Sequence, residues 1–242
     1  MRSRAVLVLA VMALAAVGIG AFLFLDRESP EEVDIDRAVA GVIATAPSDP
    51  QDAAAEPDDL DPSGTWTVDL DAVPFDSATG AGTWVGYRVD EELSGVGAFT
   101  AVGRSPRVEG RVVIDGSRVV EAEIGADLVG LVSDNANRDS RVRPLFTDRP
   151  VTFVLSEPVE FGAVPAEGQR VAVAARGVLS IGDIGQEVDV ELSADVAGER
   201  LVVTGSTLVV LADYDVVVPS ATVVLSVSDE ATVELQLYLT RG

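Results

Sequence analysis

From Ser63 to the C-terminus, apolar and polar residues alternate with a period of two, the pattern of strands that are wet on one face and buried on the other. Val120, Ala122, Ile124, Ala126 and Leu128 alternate with Glu121, Glu123, Gly125 and Asp127. Val188, Val190, Leu192, Ala194 and Val196 alternate with Glu187, Asp189, Glu191, Ser193 and Asp195, and Val233, Leu235, Leu237 and Leu239 with Thr232, Glu234, Gln236 and Tyr238. Further strands fit near residues 65–71, 83–89, 96–102, 107–114, 151–160, 169–181 and 199–210, with turn signals at Asp115-Gly116 and Ala197-Gly198-Glu199. Many alternating strands with short turns predict an antiparallel meander, which must close on itself or be covered, because open edges invite aggregation. An up-and-down barrel with an apolar interior fits; a sandwich has the same periodicity.

One polar stretch, residues 133–153, interrupts the strands. Ser133, Asp134, Asn135 and Asn137 are residue types whose side-chain oxygens accept from the free N–H groups of a helix start, and Pro144 forbids continuation, so one short helix is predicted.

Two segments precede the strands. Arg2 and Arg4 are followed by an uncharged apolar run, Ala5 to Leu25, long enough as a helix to cross a hydrocarbon core. The small-x-small pattern at Ala13-Leu14-Ala15 sits too early for cleavage and the run ends on bulky Phe22-Leu23-Phe24-Leu25, so an uncleaved signal anchor (residues 1–25) is expected. Arginines on the short side keep that side cytoplasmic, which puts the remainder in an extracytoplasmic, membrane-anchored location. Residues 26–62 carry 12 acids and two arginines with scattered prolines, and read as a disordered acidic linker; Val33 to Thr45 has partial helical periodicity within it. The domain of interest is then 63–242.

Composition narrows the chemistry. All 17 basic residues are Arg, and the chain has no Lys, His or Cys, which removes His-dependent triads, thiol nucleophiles, Schiff bases, P-loop lysines and the usual zinc and haem ligands. A net charge of −23 repels nucleic-acid backbones and anionic surfaces. Asn135-x-Asn137-x-Asp139 imitates the start of a calcium loop, but Ser140 replaces the required Gly and Phe146 the closing acid. No pair among the 40 acids is marked out for acid–base work, so no enzyme activity, metal or cofactor is expected.

Several landmarks stand together: the strand Ala122-Glu123-Ile124-Gly125-Ala126-Asp127-Leu128, then Ser133-Asp134-Asn135 with Arg138-Asp139, and Phe153 after Arg149-Pro150. With Trp66 and Asp69, Val85 and Tyr87, Gly97 and Phe99, and the closing Asp213-Tyr214, they resemble the YceI-like family of polyisoprenoid-binding, lipocalin-like proteins, over roughly Ser63 to Arg241. The resemblance implies an all-β, extended lipocalin-like antiparallel barrel with one short helix. It also implies a long-chain isoprenoid or similar apolar lipid as ligand. The sequence departs from the family pattern at Ala72-Val73-Pro74, Leu211 and Asp215, where His and Ser, Arg, and Gly are usual, which puts polar contacts to a head group in doubt.

Strand parity places Val85, Tyr87, Phe99, Ala122, Ile124, Ala126 and Phe153 on inward faces as ligand-binding candidates, with Arg88 toward solvent. Arg138 and Asp139 either face a ligand head group or fasten the helix to the barrel mouth, the second reading being favoured. Much of the inward surface is Val, Ala and Gly, which fills a barrel of this girth poorly and predicts a cavity. The expected function is therefore membrane-tethered carriage of an apolar lipid, with the linker holding the barrel mouth close to the bilayer. The alternatives are a structural or protein-interaction module of the envelope with a filled barrel, and a carboxylate hydrolase. Expected partners are the lipid and the membrane through residues 5–25, with a homodimer left open and nucleic acid excluded.

Overall fold

The structure, a computed structural model, describes residues 29–45, 61–162, 169–218, 222 and 224–242. The expected span Ala5–Leu25 lies outside the described residues, among which no helix is long and apolar enough to cross a membrane.

Thirteen strands form one sheet: β1 (Gly64–Val68), β2 (Trp84–Leu93), β3 (Gly97–Ser105), β4 (Val108–Asp115), β5 (Arg118–Ala126), β6 (Val132–Ser133), β7 (Val151–Leu155), β8 (Val159–Glu160), β9 (Val171–Ile181), β10 (Ile184–Ala197), β11 (Arg200–Val210), β12 (Val224–Val227) and β13 (Glu230–Arg241). The path β1-β4-β5-β7-β9-β10-β11-β13 closes through β1 against β13, and every pairing is antiparallel. This is the expected barrel, not a sandwich. β2, β3 and β6 extend the wall past the closure: β13 pairs β1 through its last residues and β2 through Thr232–Gln236, and β3 pairs β6. Pro106, with no N–H to give a ladder, separates β3 from β4.

The predicted helix is α2 (Ala136–Val142), capped by Asn135, whose side chain accepts from Asn137 N and Arg138 N. Pro144 ends the α-helix but not the coil, which tightens into a 3-10 turn, Arg143–Phe146, that tolerates proline in its first turn. Together with the 3-10 turn Leu211–Tyr214, this region closes one end of the barrel.

Part of the acidic region is ordered: the helical periodicity of Val33 to Thr45 is a packed helix, which corrects the expectation of a linker disordered throughout residues 26–62. Residues 29–34 run across the outside of the barrel and lead into α1 (Ile35–Thr45), whose start is capped by the Asp34 carboxylate accepting from Arg37 N at 2.9 Å. Ile35, Ala38 and Val42 make one buried stripe, which packs against Ala72, Val73, Ala197, Val202 and Tyr238. A stripe this narrow was enough because the barrel supplies the opposing apolar surface, which a linker considered by itself lacks.

The same cover buries what looked like the wet face of β13. Glu234, Gln236 and Tyr238 do point out of the barrel, but each is buried, together with Thr83, Trp84 and Arg104. Gln236 donates to Gly80 O (3.0 Å) and Gly82 O (2.8 Å), Trp84 Nε1 donates to Gly80 O (2.9 Å), and the Tyr238 hydroxyl donates to Ala38 O (3.0 Å). Gly82 is indispensable to that loop: its φ is +87°, and a Cβ there would strike the Phe75 backbone. Arg104 stacks over the Trp84 ring at 4.5 Å and donates to Ser77 O and Glu31 O, and burial lowers its pKa. Arg88 is likewise not on the solvent side: only 13% exposed, it meets Glu234 at 3.4 Å and the Pro30 carbonyl at 2.9 Å.

Candidate functional site

The inside of the barrel divides into two halves. Toward α2 it is packed solid by Val85, Val89, Ala101, Leu131, Phe146, Val151, Leu179, Ile181, Val209 and Tyr214, with Tyr87 and Phe99 against them. Toward the other end lies a cavity of about 780 Å³. Its wall is made by Val112 and Ile114 of β4, Val119 and Ala122 of β5, Phe153 and Leu155 of β7, Val173 and Ala175 of β9, Leu192, Ala194 and Val196 of β10, and Leu201 and Val203 of β11. Asp61, Pro62, Gly198, Glu199, Thr240 and Arg241 form its rim, which is the mouth.

Two aromatic side chains bound the space. Trp66 stands at the mouth with its Nε1 donating to Pro62 O at 2.8 Å, and the Arg241 guanidinium lies over its ring at 5.1 Å. Phe153 leans across β9 onto Gly177, where a Cβ would fall within the ring's own contact distance; the glycine lets the ring lie against the wall instead of across the cavity. Leu192 occupies the equivalent space over Gly205, its partner on β11.

Charge is confined to the rim. Ser63 hydrogen bonds hold the Asp61 carboxyl below its usual range. Asp195, near the end of β10, is not part of the rim: it pairs with Val202 on the face covered by α1, where it is buried and its Oδ1 has no hydrogen-bond partner among the described residues. Arg241 is the one basic residue of the rim, and its guanidinium already donates to Asp61 O. The described residues hold no group of three or more His, Cys, Asp or Glu able to bind a metal. Such a site can take up an apolar chain and leave a small polar end at the rim.

Of the residues expected to bind ligand, Ala122 and Phe153 line this cavity. Parity holds on β5, where Ala122, Ile124 and Ala126 face inward, but Ile124 and Ala126 belong to the packed core, as do Val85, Tyr87 and Phe99. Val120, read with the inward set, is displaced by a bulge: Ile114 pairs with Val119 and Val113 with Glu121, so Val119 takes the inward place. Tyr87 lies over Gly103 and is buried deeply enough to push its phenol pKa well up. Its hydroxyl has no partner among the described residues.

Arg138 and Asp139 are far from the mouth and do not pair with each other. Asp139 accepts from Ser133 Oγ (2.5 Å), Ser133 N (3.1 Å) and Arg143 (3.4 Å), fixing α2 to β6. Arg138 pairs with Asp134 (2.5 Å) and Glu91 (3.5 Å) and lies over Phe99, fixing α2 to β2 and β3. They fasten the helix, as favoured from the sequence, but at the closed end. The cavity residues of β9, β10 and β11 were not among the expected ligand residues, although the small apolar positions of Val171 to Ala175 and Leu192 to Val196 carried the signal: inward side chains too small to fill a barrel.

A family model described as the YceI-like domain matches residues 82–239. Among solved structures, the chain is similar to a polyisoprenoid binding domain from Saccharophagus degradans implicated in plant cell wall breakdown. That match has 18% identity and a TM-score of 0.54, and covers 73% of this chain and 98% of that one. A second, Burkholderia cenocepacia BcnA, matches at 17% identity with a TM-score of 0.48, covering 71% of this chain and 98% of that one. At these identities the likeness to the Saccharophagus domain establishes the fold. No curated protein matches the chain.

Proposed function

This chain belongs to the YceI-like domain family, and from that premise we propose that it binds, without catalysis, one long apolar lipid of polyisoprenoid type in the hollow half of its barrel. The observation that carries the reading is the cavity itself, about 780 Å³ walled by aliphatic and aromatic side chains. At ~30 Å³ per methylene-sized group and incomplete filling, it has room for on the order of twenty carbon atoms. Each buried CH₂ contributes roughly 0.8 kcal/mol, offset by the cost of ordering the chain. That the similar domain from Saccharophagus degradans is a polyisoprenoid binding domain agrees with this choice. A filled-barrel structural module would have no use for so large an apolar void, which loses packing contacts along its whole lining.

The rim narrows the ligand. Asp61 and Glu199 flank a single, already engaged arginine, so an uncharged polar end is favoured over a phosphate or carboxylate. We further propose that Ala5–Leu25 anchors the chain with the barrel on the extracytoplasmic side, a reading supported by Arg2 and Arg4 ahead of the apolar run.

Native mass spectrometry of the full chain, released from membranes in mild detergent, tests the reading. One bound mass of isoprenoid class per chain is expected, and a chain that is always empty and takes up no added polyprenol overturns it.

A further inference from the structure

The chain reaches the barrel at its closed end. Ser29, the first described residue, accepts through its hydroxyl from Thr100 N at 3.2 Å, beside the β2–β3 hairpin and next to β12 on β2. From Thr100 through β3 and β4 to Asp115 at the mouth end the chain spans on the order of 50 Å at ~3.3 Å per residue. Pro30, Glu31 and Val33 are held to Arg88, Arg104 and Glu234, so residues 29–34 are fastened to the wall. From Leu25 to Ser29 the chain reaches at most about 14 Å.

A second observation falls at the same end. Val217, 78% exposed, follows the Leu211–Tyr214 turn, and Leu225, 66% exposed, is on β12; Leu208 and Val210 are exposed near the end of β11. The mouth is rimmed instead by Asp61, Glu199 and Arg241.

We infer that the closed end of the barrel, through Val217 and Leu225, faces the bilayer in which the chain is anchored, and that the cavity mouth opens away from it. The inference rests on the proposed anchor. It replaces the expected arrangement in which residues 26–62, as a short tether, hold the mouth close to the membrane, because only residues 26–28 remain between the apolar run and the fastened segment. The occupant of the exposed apolar residues is then a neutral lipid interface, since Asp213, Asp215, Asp229 and Glu230 at this end oppose an anionic one. The lipid in the barrel is consequently exchanged with something on the far side, a second membrane or a soluble acceptor, rather than drawn straight from the anchoring bilayer.

The chain has no cysteine, so a single introduced one is a unique label site. Full-length Val217→Cys, Leu225→Cys and Glu199→Cys, each carrying an environment-sensitive fluorophore, are reconstituted in phosphatidylcholine vesicles with and without nitroxide-bearing lipid. The inference expects labels at 217 and 225 to lose at least half their emission to the nitroxide, and the label at 199 to lose little. Equal or stronger quenching at 199 overturns it, as does quenching at none of the three in a chain that floats with the vesicles. Shielding at 217 that follows protein concentration rather than lipid assigns the patch to a second copy and overturns it too. A chain that does not float refutes the anchor, and the inference with it, while leaving lipid binding in the barrel intact.

Discussion

The closed and open halves of the barrel are made from the same strands and differ in what those strands send inward. β5 contributes Ile124 and Ala126 to the closed half and Val119 and Ala122 to the open half; β9 contributes Leu179 and Ile181 to one and Val173 and Ala175 to the other. The closed half adds aromatic volume from Tyr87, Phe146 and Tyr214, and a helix across its end. The open half has glycines at 177 and 205 that draw Phe153 and Leu192 against the wall. An eight-stranded barrel is just wide enough for side chains to fill, so a few smaller residues per strand separate a core from a container.

The largest expected contrast comes from truncation. Leu131 is fully buried at the centre of the closed half, and Leu131→Ala should cost about 2–5 kcal/mol, because the site cannot collapse around the loss. Leu192→Ala in the open half should cost less than about 1 kcal/mol, since one side of Leu192 already faces a void. Urea unfolding of both variants checks this, and equal losses would erase the distinction between the halves.

Enlargement should invert the contrast. Ala126 is packed, so Ala126→Trp overpacks and should destabilise by about 1–3 kcal/mol or more, whereas Ala122→Trp projects into the cavity and should leave the unfolding midpoint nearly unchanged. Lipid occupancy by mass spectrometry should fall for Ala122→Trp. Parity alone makes Ala126 as good a ligand candidate as Ala122; its height in the barrel separates the two.

A smaller effect is expected outside both halves. Tyr238→Phe removes the hydroxyl bond to Ala38 O and should cost about 1 kcal/mol, with faster amide exchange across residues 35–45 and unchanged lipid occupancy.

The smallest effect is electrostatic and belongs to the closed half. The Arg107 hydrogen bond, then the Val129 N–H, holds the Asp127 carboxyl below its usual range. A folded-state pKa below the unfolded one adds stability that is present above the unfolded value, about 3.9, and is lost as pH falls through the folded one. The pair is half exposed, so after solvent screening the amount is a few tenths of a kcal/mol. Asp127→Asn, which keeps the cap on Val129, should flatten the acid limb of the stability curve below about pH 4 by that amount.

What could be read in the sequence follows from what periodicity encodes. Alternation along Ala122–Ala126 gave the correct faces, and the turn chemistry of Asn135 and Pro144 located α2. Alternation says which side of the wall a residue is on and nothing of its height, so seven of the nine expected ligand residues proved to belong to the closed half. It also cannot see a second layer: Glu234, Gln236 and Tyr238 are polar because they meet the backbone of the segment before α1, of the loop at residues 80–82 and of α1, which in sequence is indistinguishable from meeting water. The bulge between β4 and β5 shifted Val119 and Val120 by one place, an irregularity with no local signal.

The account's central claim is that the open half, and not the closed one, holds an apolar chain, and locating a heavy atom tests it most directly. Crystals of the full chain loaded with a polyprenol brominated at its far end should show one anomalous peak within van der Waals distance of Val112, Phe153 and Val203. A peak among Leu131, Phe146 and Tyr214, or on the outer surface with the cavity still empty, would contradict it.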